Sequence, residues 1–153
     1  MSEEEKIAQE LTQKFNFPVK VNRVRRISAE VPMEKFWDVF DHAVKSLDFS
    51  MLSTITGLDE GDKYGLIYHL CRESGIMLMI KTSIPKNDPV IKTVIKYFPS
   101  AEIYEREIFD LLGINIQVLP EGNRYPLPDD WPADNYPLRK DWKTEMLDKK
   151  ETC

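Results

Sequence analysis

Proline density divides this chain in two. Residues 120–142 hold Pro120, Pro126, Pro128, Pro132 and Pro137, five of the ten prolines. Each proline lacks an N–H and has a fixed φ, so neither a helix nor a central strand can run through the segment. The same stretch carries Tyr125, Trp131, Tyr136 and Trp142. An extended chain rich in aromatics cannot build its own core. It must lie against a surface, of its own domain or of another protein. The spacing therefore predicts a domain over 1–119, a docking arm over 120–142 and a charged, mobile tail over 143–153.

Periodicity gives the elements of the domain. Ile7, Leu11 and Phe15 fall at helical spacing, predicting a helix over 3–15 that Pro18 ends. Val19, Val21, Ile27, Ala29 and Val31 suggest one strand over 19–31. Phe36, Phe40, Val44 and Leu47 form the stripe of a helix over 33–47. Strands over 49–58, 64–72 and 75–83 follow, with Gly57–Gly61 and Glu73-Ser74-Gly75 as turns, which predicts an antiparallel meander. Val90, Val94 and Tyr97 suggest a short helix over 89–97. A further helix runs from Ser100 to Leu112, with Pro99 at its entry and Gly113 past its end. A short strand over 114–118 closes the domain.

The bulk numbers exclude several classes of function. The chain has 153 residues, 42% hydrophobic and 31% charged, and a net charge of −5 from 21 basic and 26 acidic residues. That charge does not suit a nucleic-acid binder, which needs a basic face to displace counterions. The longest apolar run, Ile76–Ile80, is far short of the about 20 residues that span a bilayer. The acidic start Met1-Ser2-Glu3-Glu4-Glu5 has no apolar signal core. Cys71 and Cys153 alone make no disulfide framework and suit a reducing compartment.

One helix concentrates the chemistry. Tyr104, Ile108, Leu111 and Leu112 form its expected buried stripe. Glu102, Arg106 and Asp110 lie four apart, so Arg106 can bridge both acids. As an exposed ladder, such pairs contribute roughly 0.3–0.5 kcal/mol each. Asp110, however, sits in the last turn, where the helix dipole disfavours negative charge. It therefore calls for a tertiary cation. Arg139 and Lys140 are the candidates, meeting Glu107 or Asp110 within the chain or across an interface. The plain alternative is that Arg139 and Lys140 are an ordinary solvated pair.

Glu105-Arg106-Glu107, Asp110, Gly113-Ile114 and later Tyr136-Pro137-Leu138-Arg139-Lys140-Asp141 resemble the signature of the 30-kilodalton subunit family of complex I, the NADH:quinone oxidoreductase. Counterparts occur in complex-I-like membrane-bound hydrogenases and related sulfur-reducing complexes. The resemblance implies an α+β fold: a small mixed, largely antiparallel sheet flanked by helices, with an extended proline-rich C-terminal arm. It implies a non-catalytic subunit on the cytoplasmic face of the membrane, peripheral, scaffolding the catalytic large subunit beside iron–sulfur subunits. It also implies that this chain holds no cofactor; iron–sulfur clusters, and nickel-iron in hydrogenase members, belong to partners. Glu105, Arg106, Glu107, Asp110, Gly113, Trp131, Pro137, Leu138, Arg139 and Lys140 would then be structural and docking residues. Quinone-linked members usually carry His-Pro after the Gly-Ile strand. Here Pro120–Pro126 has no histidine, and Leu127–Pro132 looks closer to the hydrogenase branch.

Other chemistries have little footing. An iron–sulfur cluster normally needs about four thiolates. His69 and Cys71 share a strand face, where a shared metal competes with two satisfied side chains. No phosphate loop, dinucleotide fingerprint or nucleophile elbow is present. The rival readings are a free-standing adaptor whose proline–aromatic arm is read by a transient partner, and a small hydrolase using Glu105, Glu107 or Asp110 as acid and base.

Overall fold

The computed structural model of the chain describes residues 1–147. Helix α1 (Glu3–Phe15) opens on a capping box: Ser2 Oγ accepts from the Glu5 N–H, and Glu5 returns the bond to the Ser2 N–H. It closes on Asn16, which is left-handed at φ 54°. Its apolar stripe, Ile7, Ala8 and Leu11, is buried. Helix α2 (Met33–Lys45) buries Phe36, Val39, Phe40 and Ala43. Phe36 and Phe40 pack on Tyr68, with ring centroids 5.1 and 5.5 Å away.

The expected single strand over 19–31 is in fact a hairpin. Strands β1 (Val19–Arg23) and β2 (Arg26–Glu30) pair antiparallel, with an irregularity between Val21 and Arg23. The turn needs Arg25 at φ 60°. No glycine or asparagine advertises it. Tertiary bonds hold it instead: Arg25 N–H donates to Glu4 Oε1 at 2.7 Å, and Arg25 C=O accepts from the Met77 N–H at 3.0 Å.

Strands β3 (Met51–Asp59), β4 (Lys63–Cys71) and β5 (Met77–Pro85) form the meander, each within two residues of its expected limits. The five-stranded sheet runs β1-β2-β5-β4-β3. Only β2 and β5 are parallel, so the sheet is mixed and largely antiparallel, an α+β architecture. Leu52, Ile55, Leu66, Tyr68, Leu70, Leu78 and Ile80 are buried on the inner face, while the alternate residues Ile67, His69 and Met79 are half-buried. The period of two separates the faces.

The helix expected over 89–97 does not form. Strand β6 (Val90–Lys92) instead pairs in parallel with β7 (Asn115–Gln117), Ile91 opposite Ile116. A turn follows, in which Tyr97 and Phe98 both donate to the Val94 carbonyl. Pairing with a distant strand here outweighs a weak local helical pattern. Of the expected charged tail, Thr144–Met146 makes one 3-10 turn; residues 148–153, Cys153 among them, lie outside the described residues.

Candidate docking site

Helix α3 (Ala101–Leu112) carries the site. Pro99 and Ser100 precede it, and Gly113 ends it at φ 74°, its N–H donating to the Phe109 carbonyl at 2.8 Å. Its inner face differs from the expected stripe. Ile108 and Leu112 are buried, but so are Glu105 and Asp110, while Tyr104 and Leu111 are half-buried. Gly57 on β3 makes room for the helix, since a Cβ there would lie 2.6 Å from Leu112.

Glu105 is a clamp on the turn after β6. One carboxylate oxygen accepts from the Val94 N–H at 2.8 Å and the other from the Thr93 hydroxyl at 2.5 Å. Burial pushes its pKa up, against the opposing pull of those two bonds. These bonds replace the local helix expected over 89–97.

Arg106 bridges only one of its two expected acids. Its guanidinium donates to Glu102 at 2.8 Å and to the Pro120 carbonyl at 2.6 Å. It thus fixes the entry of the proline-rich segment. Asp110 faces inward and takes another cation. Arg124 Nε donates to Asp110 Oδ1 at 3.0 Å, and the Leu127 N–H donates to Oδ2 at 3.2 Å. Arg124 also donates to the Trp131 carbonyl at 2.8 Å. Of the expected partners, Arg139 is engaged elsewhere, and the exposed Lys140 side chain forms no ion pair among the described residues. Arg124 has a visible signal in retrospect: it is the only lysine or arginine between Arg106 and Arg139.

Residues 136–142 close over the end of α3. The Leu138 N–H donates to the Leu111 carbonyl at 3.0 Å, and Arg139 Nε to the Leu112 carbonyl at 2.7 Å. Helix ends leave such carbonyls without partners, and a cation there also complements the dipole. The Arg139 guanidinium lies 4.2 Å from the Tyr136 ring centroid and 5.8 Å from that of Tyr64. Both Arg139 and Tyr136 occupy the space a side chain at Gly113 would need. The Lys140 N–H donates to Asp59 Oδ2 at 2.9 Å. Pro137 supports this turn by presetting φ.

Asp59 was not singled out by the sequence. Its side chain is almost wholly buried at the end of β3. Burial would raise its pKa, but bonds from Lys86, the Lys140 N–H and the Gly61 N–H outweigh that and hold it at about 2. Trp131 and Trp142 pack at a tilt of 30° with centroids 6.2 Å apart, and Asn135 joins them: its backbone carbonyl accepts from Trp131 Nε1 at 2.8 Å and its Oδ1 from Trp142 Nε1 at 3.4 Å. The proline-rich segment is thus bonded to its own domain at Arg106, Asp110, Leu111, Leu112 and Asp59.

Apolar side chains remain outside this framework. Phe109 is 45%, Tyr125 43% and Leu138 54% exposed. Leu138 lines a groove of about 200 Å³ with Thr54, Thr56, Glu107 and Leu111. Glu107 makes no hydrogen bond or ion pair among the described residues. His69 Nε2 pairs with Thr56 Oγ1 at 3.2 Å, and burial lowers its pKa. Among the described residues no three His, Cys, Asp or Glu side chains group as a metal site. No helix among them is long and apolar enough to cross a membrane.

Residues 29–147 match the family described as respiratory-chain NADH dehydrogenase, 30 Kd subunit. The chain is 34% identical over 121 residues to a subunit of the F(420)H(2) dehydrogenase of Methanosarcina mazei, covering 77% of this chain and 76% of that one. It is 29% identical to membrane-bound hydrogenase subunit beta of Pyrococcus furiosus, covering 94% of this chain and 88% of that one. A chain in the structure of the membrane-bound sulfane sulfur reductase, an archaeal respiratory membrane complex, superposes with a TM-score of 0.79 at 28% identity. That match covers 99% of this chain and 92% of that one. By the reach of the match and the architecture that carries it, this chain belongs to the 30-kilodalton subunit family of the respiratory-chain NADH dehydrogenase.

Proposed function

We propose that this chain is a non-catalytic structural subunit in the cytoplasmic arm of a complex-I-like membrane-bound oxidoreductase, and that it scaffolds the catalytic large subunit during electron transfer. It reaches the membrane only through partners and binds no cofactor itself; iron–sulfur clusters, and nickel-iron in a hydrogenase, reside in the neighbouring subunits. A hydrogenase or sulfur-reducing complex fits better than a quinone-linked one. The relative from P. furiosus, the superposition on the sulfane sulfur reductase chain and the missing histidine in Pro120–Pro126 support that preference.

The observation that carries the proposal is the way Leu138 is presented. Its N–H is bonded to Leu111 and its neighbours Arg139 and Lys140 are bonded to Leu112 and Asp59, yet its side chain is half in solvent. Backbone order is already achieved before a partner arrives, so docking loses little conformational entropy. Leu111 lines the same groove as Leu138, and elsewhere on the chain Phe109 and Tyr125 are exposed while Trp131 and Trp142 are half-buried. An adaptor read as a free proline-rich strand would first have to break those bonds.

Affinity purification of the complex through a tagged copy of this chain tests the reading. Leu138→Asp should leave the melting of the isolated chain unchanged, because the side chain is not in the core. It should lower recovery of the large subunit by about tenfold or more, as for loss of a central apolar anchor. Full recovery with Leu138→Asp would overturn the proposal.

A further inference from the structure

We propose that the recess beside Val118 is a second docking surface, taking an extended segment of a neighbouring subunit that carries a carboxylate next to an apolar side chain. The inference rests on the reading of the chain as one subunit among several. It concerns a surface formed by α2, the turn after β6 and the residue following β7, with no part in the contacts around Leu138.

Val118 has φ 64°. A β-branched residue is strained in the left-handed region, and such strain persists only where the surrounding structure enforces it. The side chain it holds is 84% exposed, so burial of Val118 does not offset the strain within this chain. What the strained backbone does is stand an aliphatic group at the mouth of a recess of about 370 Å³, walled by Trp37, Ile95 and Tyr97. The walls are rigid. Trp37 packs edge-on against Phe36 with centroids 5.0 Å apart, and the Tyr97 hydroxyl donates to Asp41 at 2.8 Å.

Charge decides the kind of occupant. Lys92 and Lys96 stand at the rim, both exposed. Among the described residues neither forms an ion pair. Asp41 on α2 is near enough to Lys96 to feel its charge, but its carboxylate is bonded to Lys45 at 2.7 Å and to the Tyr97 hydroxyl at 2.8 Å. The chain as a whole carries −5, so these two lysines are a local cationic spot on an anionic protein. An apolar floor with cations at its edge selects a segment with an apolar side chain and an adjacent carboxylate, and the charges fix its register. One valine and two lysines fall short of what anchors a protein to a lipid surface, which takes two strong signals.

Photo-cross-linking in the intact complex tests this. p-Benzoylphenylalanine is placed at position 118 in one variant and at position 138 in another, and the adducts are mapped by mass spectrometry. The expected result is a position-118 adduct on a peptide of another subunit with Asp or Glu within a few residues of the attachment point. Reversal of both lysines, Lys92→Glu with Lys96→Glu, should cut that adduct by about fivefold or more and leave the position-138 adduct in place. An adduct at 138 but none at 118 overturns the inference and leaves the docking role of Leu138 standing. So does an adduct at 118 with lipid only, with a second copy of this chain, or with a peptide lacking an acid. Adducts at neither position would overturn both readings. Val118→Gly gives an independent arm: the isolated chain should melt no lower than wild type, since the strain is relieved, while the complex dissociates more readily. A lower melting temperature would assign Val118 to the fold instead and overturn the inference.

Discussion

The Lys140 N–H donates to Asp59 Oδ2 at 2.9 Å across 81 residues of sequence. This bond joins the end of the sheet to the end of the proline-rich segment. With the Lys86 ammonium at 2.8 Å on the same oxygen, Asp59 is a buried anion satisfied from both sides. Its pH dependence follows. The folded pKa of about 2 lies below the ordinary 3.8. Stability from Asp59 is therefore present above about pH 4 and is lost as pH falls from about 4 to about 2. Asp59→Asn should flatten the acid limb of the unfolding profile in that window and cost about 1–3 kcal/mol at neutral pH. Chemical denaturation from acid to neutral pH measures both, and an acid limb parallel to wild type would remove Asp59 from this role.

Arg139 is the second test of the closure over α3. Arg139→Ala removes the donor to the Leu112 carbonyl and uncovers the Tyr64 ring. The isolated domain should remain folded, destabilised by about 1–2 kcal/mol. The segment from Tyr136 to Trp142 should become sensitive to trypsin at Lys140 and Lys143, and complex yield should fall. Unchanged cleavage and yield would exclude Arg139 from the docking set.

Gly113 combines a left-handed backbone with direct packing under Tyr136 and Arg139. Gly113→Val meets both obstacles and should destabilise by well over about 1 kcal/mol. Gly113→Ala should cost less because its side chain is smaller. Thermal melts rank the three proteins, and equal melting temperatures would contradict the geometry at the end of α3.

Arg124 is the cation of a nearly buried pair. Arg124→Ala leaves Asp110 buried with only the Leu127 N–H, and should cost about 3 kcal/mol, the low end for breaking such a pair because Arg124 keeps some solvent contact. Proteolysis within 121–131 should accelerate in parallel. A neutral effect on stability would show that Asp110 finds water in its place.

Features whose cause lies within a few residues were legible along the chain. Ile7, Leu11 and Phe15 mark α1, Gly113 stops α3, turn residues divide β3, β4 and β5, and the prolines bar regular structure from 120–142. The paired motifs around Glu105 and Arg139 also carried the family. Folding settled what those local signals left open. The Val24-Arg25 turn exists because Glu4 and Met77 bond to Arg25 from distant elements. The 89–97 segment became β6 and a turn because β7 and Glu105 took its backbone groups. Asp110 received Arg124 in place of Arg139, and Asp59 emerged as an anchor, because a buried carboxylate is matched to whichever donor the packed chain brings within about 3 Å. Local propensity acts along the chain, whereas the choice among several possible donors depends on distances that only the folded sheet and helices set.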